Sequence, residues 1–86
     1  MKTFLLTVSS PDGDLFNGDA VKISLRGVEG ELAVMAGHIP FVTSLAKAPC
    51  VLWLGDGTKK TASVDGGVLS VDKDSVTLIS GSFTFD

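Results

Sequence analysis

The sequence predicts an all-β fold, a flattened sandwich or barrel of about eight to ten short, mostly antiparallel strands. Three observations lead there. Short runs along the chain alternate apolar and polar side chains with the two-residue period of a pleated strand. Clusters of Gly, Pro, Asp and Asn interrupt those runs every roughly eight to twelve residues, which is the spacing of turns in a sandwich. No segment sustains a helical apolar period for long enough to matter.

From Thr3 to Ser9 the chain puts Phe4, Leu6 and Val8 on one side and Leu5, Thr7 and Ser9 on the other, a first strand. Ser10-Pro11-Asp12-Gly13 is a tight turn, with Pro presetting φ and Gly free to take the strained position. A second extended run starts near Leu15 and Phe16 and is interrupted at Asn17-Gly18. It resumes with Val21, Ile23 and Leu25 facing the core and Lys22, Ser24 and Arg26 facing out. Gly27 and Gly30 bracket a turn, Glu31 to Met35 extends again, and Ala36-Gly37-His38-Ile39-Pro40 forms an irregular loop in which Gly37 suits a positive φ. Phe41 to Leu45 and Cys50 to Leu54 are strands separated by Ala48-Pro49, and Gly55-Asp56-Gly57 turns the latter back into Thr58 to Val64 as a hairpin. Asp65-Gly66-Gly67 precedes a strand over Val68 to Val71, Asp72-Lys73-Asp74 precedes Ser75 to Ser80, and Phe83 and Phe85 close the chain.

With 86 residues there is room for one compact domain, residues 1–86, and no repeat or low-complexity linker divides it. Mean hydropathy is +0.39, yet no apolar run approaches the roughly 18 to 20 residues needed to cross a bilayer as a helix. The opening MKTFLLTVSS lacks the apolar core of a targeting signal and reads as a strand. A net charge of −3, with only Lys59 and Lys60 adjacent among the basic residues, argues against nucleic acid, which needs clustered cations. The lone Cys50 cannot form an internal disulfide, so packing must hold the fold, as in a reducing compartment.

The sequence offers little catalytic chemistry. His38 and Cys50 would have to meet in space to make an activated thiol, and they read more simply as a loop imidazole and a core thiol. One His and one Cys fall short of a structural zinc set. Glu29 and Glu31, two apart across Gly30, fit a solvated turn better than a pair of acid and base carboxylates. Asp12, Asp14, Asp72 and Asp74 are turn residues, since the full calcium-loop spacing is missing. Neither GxxxxGK[ST] nor a GxGxxG opening a helix occurs. The expectation is therefore no catalytic residue, no metal and no cofactor. The positive signal is apolar: Met35, Ile39, Phe41, Val42 and Trp53 cannot all be core in so small a domain, and exposed members would mark an interface.

GVEGELAVMAGHIPFVTSL at residues 27–45 resembles the signature of the ATP synthase epsilon subunit family, in which a Gly-x-x-Gly-Glu turn and strand lead into a Gly-His-x-Pro loop. SPDGDLFNGDAVKISL at 10–25 and DGGVLSV at 65–71 are similar to two further blocks of that family, in the same order. The resemblance implies a ten-stranded β-sandwich at the foot of the central stalk, bound to the gamma subunit and resting on the ring of c subunits. Such a rotor subunit passes on torque during ion-driven ATP synthesis, while the chemistry belongs to alpha and beta in a complex that also holds delta. It implies peripheral, indirect membrane association at the cytoplasmic face of a bacterial inner membrane. Matched residue by residue, Glu29, Gly30 and Glu31 face the c-ring, Ser10, His38 and Thr43 lie toward gamma, and Gly37 and Pro40 shape the loop. Ala36 departs from the Pro that family members commonly carry there. Relatives continue into a C-terminal helical hairpin that inhibits hydrolysis and in some binds ATP; the sequence stops at Asp86, as a naturally short form or an excised N-terminal domain would, and in both cases no inhibitory arm and no ATP site are expected. A free-standing sandwich that takes a ligand or a peptide by strand addition is the competing reading.

Overall fold

The computed structural model describes residues 2–37 and 39–86. Nine strands follow in chain order: β1 (Phe4–Ser10), β2 (Gly13–Gly27), β3 (Gly30–Met35), β4 (Phe41–Ser44), β5 (Ala48–Leu54), β6 (Lys59–Val64), β7 (Val68–Val71), β8 (Ser75–Ile79) and β9 (Phe83–Phe85). Their hydrogen-bonded order is β4-β7-β8-β1-β2-β5-β6-β9, with β3 also on β2. Among the described residues only β1 and β8 run parallel; every other strand pairing there is antiparallel.

The 15-residue β2 makes the two layers. Its first half, up to Ala20, pairs with β1, and its second half pairs with β3 on one side and β5 on the other. One layer is thus β4-β7-β8-β1 with the start of β2, and the other is β3, the end of β2, β5, β6 and β9. Between them lie the inward residues of each strand, among them Leu6, Ile23, Leu52, Leu69 and Leu78, all with no exposed surface. At one corner the layers are tied by backbone: Val28 N–H donates to Ser44 O at 3.0 Å and Ala46 N–H to Arg26 O at 2.9 Å.

Three details of the sequence reading are corrected. β2 runs unbroken through Asn17-Gly18, because Gly18 pairs with Leu6 and the ring of Phe16 fills the space over it, 3.2 Å from where a Cβ would stand. Val21 does not join Ile23 and Leu25 in the core: the register shifts between Ala20 and Lys22, so Ala20 takes the buried position and Val21 moves outward. Ala48-Pro49 belongs to β5 rather than to a connection; that end of β5 pairs only with β6, since β2 reaches no further than Val51, and one open side tolerates a proline. Among the described residues the strands number nine, where the resemblance implies ten.

Cys50 is a core thiol with no exposed surface, and burial pushes it from the ordinary 9.0 up to about 12. The folded value is the higher one, so the stability it carries is complete below pH 9 and is lost as pH climbs toward 12, where only the unfolded chain releases the proton. Raising the pH from 7 to 10.5 is expected to remove about 1–2 kcal/mol through this group, read as the change in urea midpoint, and Cys50→Ala should remove that part of the pH dependence. In the native state a thiol reagent should react only as fast as the protein opens.

Candidate interaction surfaces

The β2–β3 hairpin carries the first group of predicted site residues. Val28 and Glu29 form its two-residue loop between the paired Gly27 and Gly30. Gly30 has a φ of 135°, which other residues rarely adopt, and this fixes Glu29 and Glu31 as exposed side chains on either side of it. Glu31 stands directly across from Arg26 in the register. A groove of about 350 Å³ opens beside the hairpin, and Glu29, Gly30 and Glu31 share it with Phe41, Val42 and Thr43 of β4. The structure therefore brings Thr43 to the same feature as the Glu29 turn.

Ser10 lies elsewhere, at the end of β1. Its hydroxyl donates to Gly13 O at 3.0 Å and accepts from the Asp12 N–H at 3.2 Å, so its visible work is to brace the turn. Gly37 has a φ of 81°, the positive value its place in the loop suggested, and Pro40 is exposed just before β4. His38 lies outside the described residues.

The registers place one further surface that sequence reasoning did not assemble. Directly paired residues share a sheet face, so two rows cross the outside of the first layer. One runs Ser44, Val68, Ile79, Ser9; the next runs Val42, Ser70, Thr77, Thr7, with Ser75 and Leu5 beyond. No outward position on β4, β7, β8 or β1 is charged; charge begins at β2, where Asp14 and Asp19 pair with Ser9 and Leu5. Val42 is 69% exposed, Ile79 50% and Leu5 45%. Small hydroxyl side chains between large exposed apolar ones make a flat, dehydratable face suited to a protein partner. The signal was present in the alternation, since Thr7, Ser70 and Thr77 fall outward in each strand; what was missing was the strand order that joins them.

Ser10 and Thr43 lie on the two edge strands of this face, although Thr43 pairs with the buried Leu69 and so points to the inner side of the layer. Ser9 and Ser44 share a row, so both positions lie at the same end of the layer, on β1 and β4, three strand spacings or about 14 Å apart.

The opposite layer is different in kind. Its outside carries Lys22, Arg26, Glu31, Met35, Trp53 and Lys59, in the row Met35–Lys22–Trp53–Lys59 and the rows beside it. Among the described residues no group of three or more His, Cys, Asp or Glu is gathered to hold a metal.

A family model described as ATP synthase, Delta/Epsilon chain, beta-sandwich domain matches residues 3–85. The ATP synthase epsilon chain of Bacillus licheniformis is 37% identical over 79 residues, which are 92% of this chain and 60% of that one. That of Bacillus velezensis is 38% identical over 79 residues, 92% and 59% respectively. The chain thus spans about 60% of the length of the curated relatives it matches. Among solved structures, a chain of the Euglena gracilis mitochondrial ATP synthase, OSCP/F1/c-ring, superposes with a TM-score of 0.89 at 25% identity, covering 96% of this chain and 53% of that one. A chain of the Tetrahymena thermophila mitochondrial ATP synthase central stalk and c-ring shares the fold, with a TM-score of 0.80 at 14% identity, covering 95% and 66%. Nine strands in this order, the motif blocks they carry and a model match across nearly every residue agree: the chain belongs to the family of ATP synthase delta/epsilon chain β-sandwich domains.

Proposed function

We propose that this chain serves as the β-sandwich of a non-catalytic central-stalk subunit in a proton- or sodium-translocating rotary ATP synthase, clamping the gamma subunit to the c-ring and passing torque between them. The uncharged outer face of β4-β7-β8-β1 docks gamma. The observation that carries this is the face itself, four strands wide, uncharged and carrying the exposed Val42, Ile79 and Leu5; Ser10 and Thr43, the two described positions that match gamma-facing residues of the family, sit on the strands at its two edges. The Glu29-Gly30-Glu31 turn lies at the corner beyond Ser44, where it meets polar loops of the ring. The reading places the chain peripherally, on the cytoplasmic side of a bacterial inner membrane, in a complex with alpha, beta and delta as well. Chemistry stays on alpha and beta; this chain contributes stiffness and surface.

Co-expression with a candidate gamma subunit followed by size-exclusion chromatography tests the reading. A stable one-to-one complex is expected, and separate elution of both proteins contradicts it. The turn has its own test. Glu31 is solvent-exposed, so its pairing with a ring cation contributes little affinity and mainly sets register. Glu31→Gln should leave thermal stability unchanged, weaken ring attachment only about two- to fivefold and flatten its dependence on salt. An unchanged salt dependence removes Glu31 from that role.

A further inference from the structure

The second layer's outer face holds a groove that the rotor reading leaves without a task. It measures about 480 Å³ and is lined by Val21, Met35, Trp53 and Leu54, with Gly55 and Gly57 at its end and Lys22 alongside. Met35 is 57% exposed, large for an apolar side chain with nothing over it. The register explains how the groove forms. Lys22, Trp53 and Lys59 stand side by side on β2, β5 and β6, and Met35 stands beside Lys22 on β3. The Ala20/Lys22 register shift turns Val21 into the same groove. Gly55 and Gly57 keep the end open, since neither brings a side chain to it.

Two ammonium groups lie close to the indole. Lys22 Nζ is 4.9 Å from the Trp53 ring centroid and Lys59 Nζ 5.7 Å. Neither lysine has a carboxylate partner among the described residues. Asp56, in the turn between Gly55 and Gly57, is not among the groove's lining residues; the Thr58 side chain, together with the Thr58 N–H that donates to its Oδ1 at 2.8 Å, holds its carboxyl below the ordinary range. In a chain whose net charge is −3, this is a locally cationic rim around an apolar floor. Cation–π contact holds each ammonium over the indole without neutralising it, so both charges stay available to a ligand.

We infer that this groove is a second docking site, and that its occupant is an acidic protein segment that lays an aliphatic side chain on the apolar floor of Val21, Met35, Trp53 and Leu54 while neighbouring carboxylates meet Lys22 and Lys59. A basic segment would be repelled at the rim, and a purely acidic one would leave the apolar floor wet. The complement must carry both features. The site does not depend on the rotor reading, because it lies on the opposite layer from the face assigned to gamma.

Trp53 is the only tryptophan and the chain has no tyrosine, so its emission reports the groove directly. The probe is a short capped peptide of Glu and Leu, titrated into the intact chain, with two controls: the same peptide with Lys for Glu, and one with Gly for Leu. The inference predicts a saturable blue shift with the Glu/Leu peptide alone. It also predicts about tenfold weaker binding to the double variant Lys22→Glu, Lys59→Glu, whose unchanged unfolding curve establishes that it is folded. No shift with the Glu/Leu peptide, an equal shift with the Lys peptide, or an equal shift with the Gly peptide overturns it. Co-elution with gamma is measured separately, so failure of one site leaves the other standing.

Discussion

Gly67→Ala is expected to lower stability by about 3 kcal/mol or more, a large part of what an 86-residue domain has in total, roughly 4 to 13 kcal/mol. Two effects combine. Gly67 has a φ of 130°, where a Cβ strains the backbone by about 1–2 kcal/mol. The added methyl would also run into the carbonyl oxygen of Ile79 and stand 3.0 Å from Ser80 Cβ, neither of which can swing aside because both belong to the neighbouring β8 segment. Ser80 is held there from the other direction: it is buried, its hydroxyl donates to Gly66 O at 2.8 Å, and it accepts from the Ser82 N–H at 3.1 Å. Gly66 supplies the control. It too has a positive φ, 81°, but open space where a Cβ would go, so Gly66→Ala should show the backbone effect alone, about 1–2 kcal/mol. Urea unfolding of the two variants separates strain from collision, and equal losses would mean that the Ile79 contact is not tight.

Thr77→Arg is expected to leave that unfolding curve almost unmoved and to weaken the gamma complex by about a hundredfold or more. Thr77 points outward at the middle of the uncharged rows, between Ser70 and Thr7, so a long side chain there has room in the free protein. Surface changes of this kind usually shift stability by no more than about 0.5 kcal/mol. In the complex the same guanidinium is stripped of water with no outward carboxylate on β4, β7, β8 or β1 beside it, and an unpaired buried charge costs several kcal/mol. The dissociation constant, measured by titration calorimetry, is the readout. Thr77→Ser changes size without charge and should bind nearly as the parent does.

Strand character was legible because the alternation is clean. Phe4, Leu6 and Val8 are buried and Leu5 is exposed, as the period requires, and the Gly55-Asp56-Gly57 hairpin closes with Leu54 N–H donating to Thr58 O at 2.8 Å. What failed was local and had local causes: a glycine roofed by Phe16, a shifted register at Val21, a proline on a half-open strand. The Glu29-Gly30-Glu31 turn could be placed from its glycines. The uncharged face could not, because it joins the β7–β8 hairpin to β4 and β1, which are distant from it in sequence, and only the parallel β1–β8 pairing brings Thr7 beside Thr77. The Trp53 groove needed the same long-range information, joining β3, β2, β5 and β6.

Hydroxyl-radical footprinting of the chain, free and bound to gamma, reads the docked face side chain by side chain. Val42, Ile79 and Leu5 should lose reactivity on binding, while Met35 and Trp53 on the far layer stay as reactive as in the free protein. Unaltered labelling of Val42 and Ile79 in a proven complex would contradict the assignment of that face to gamma.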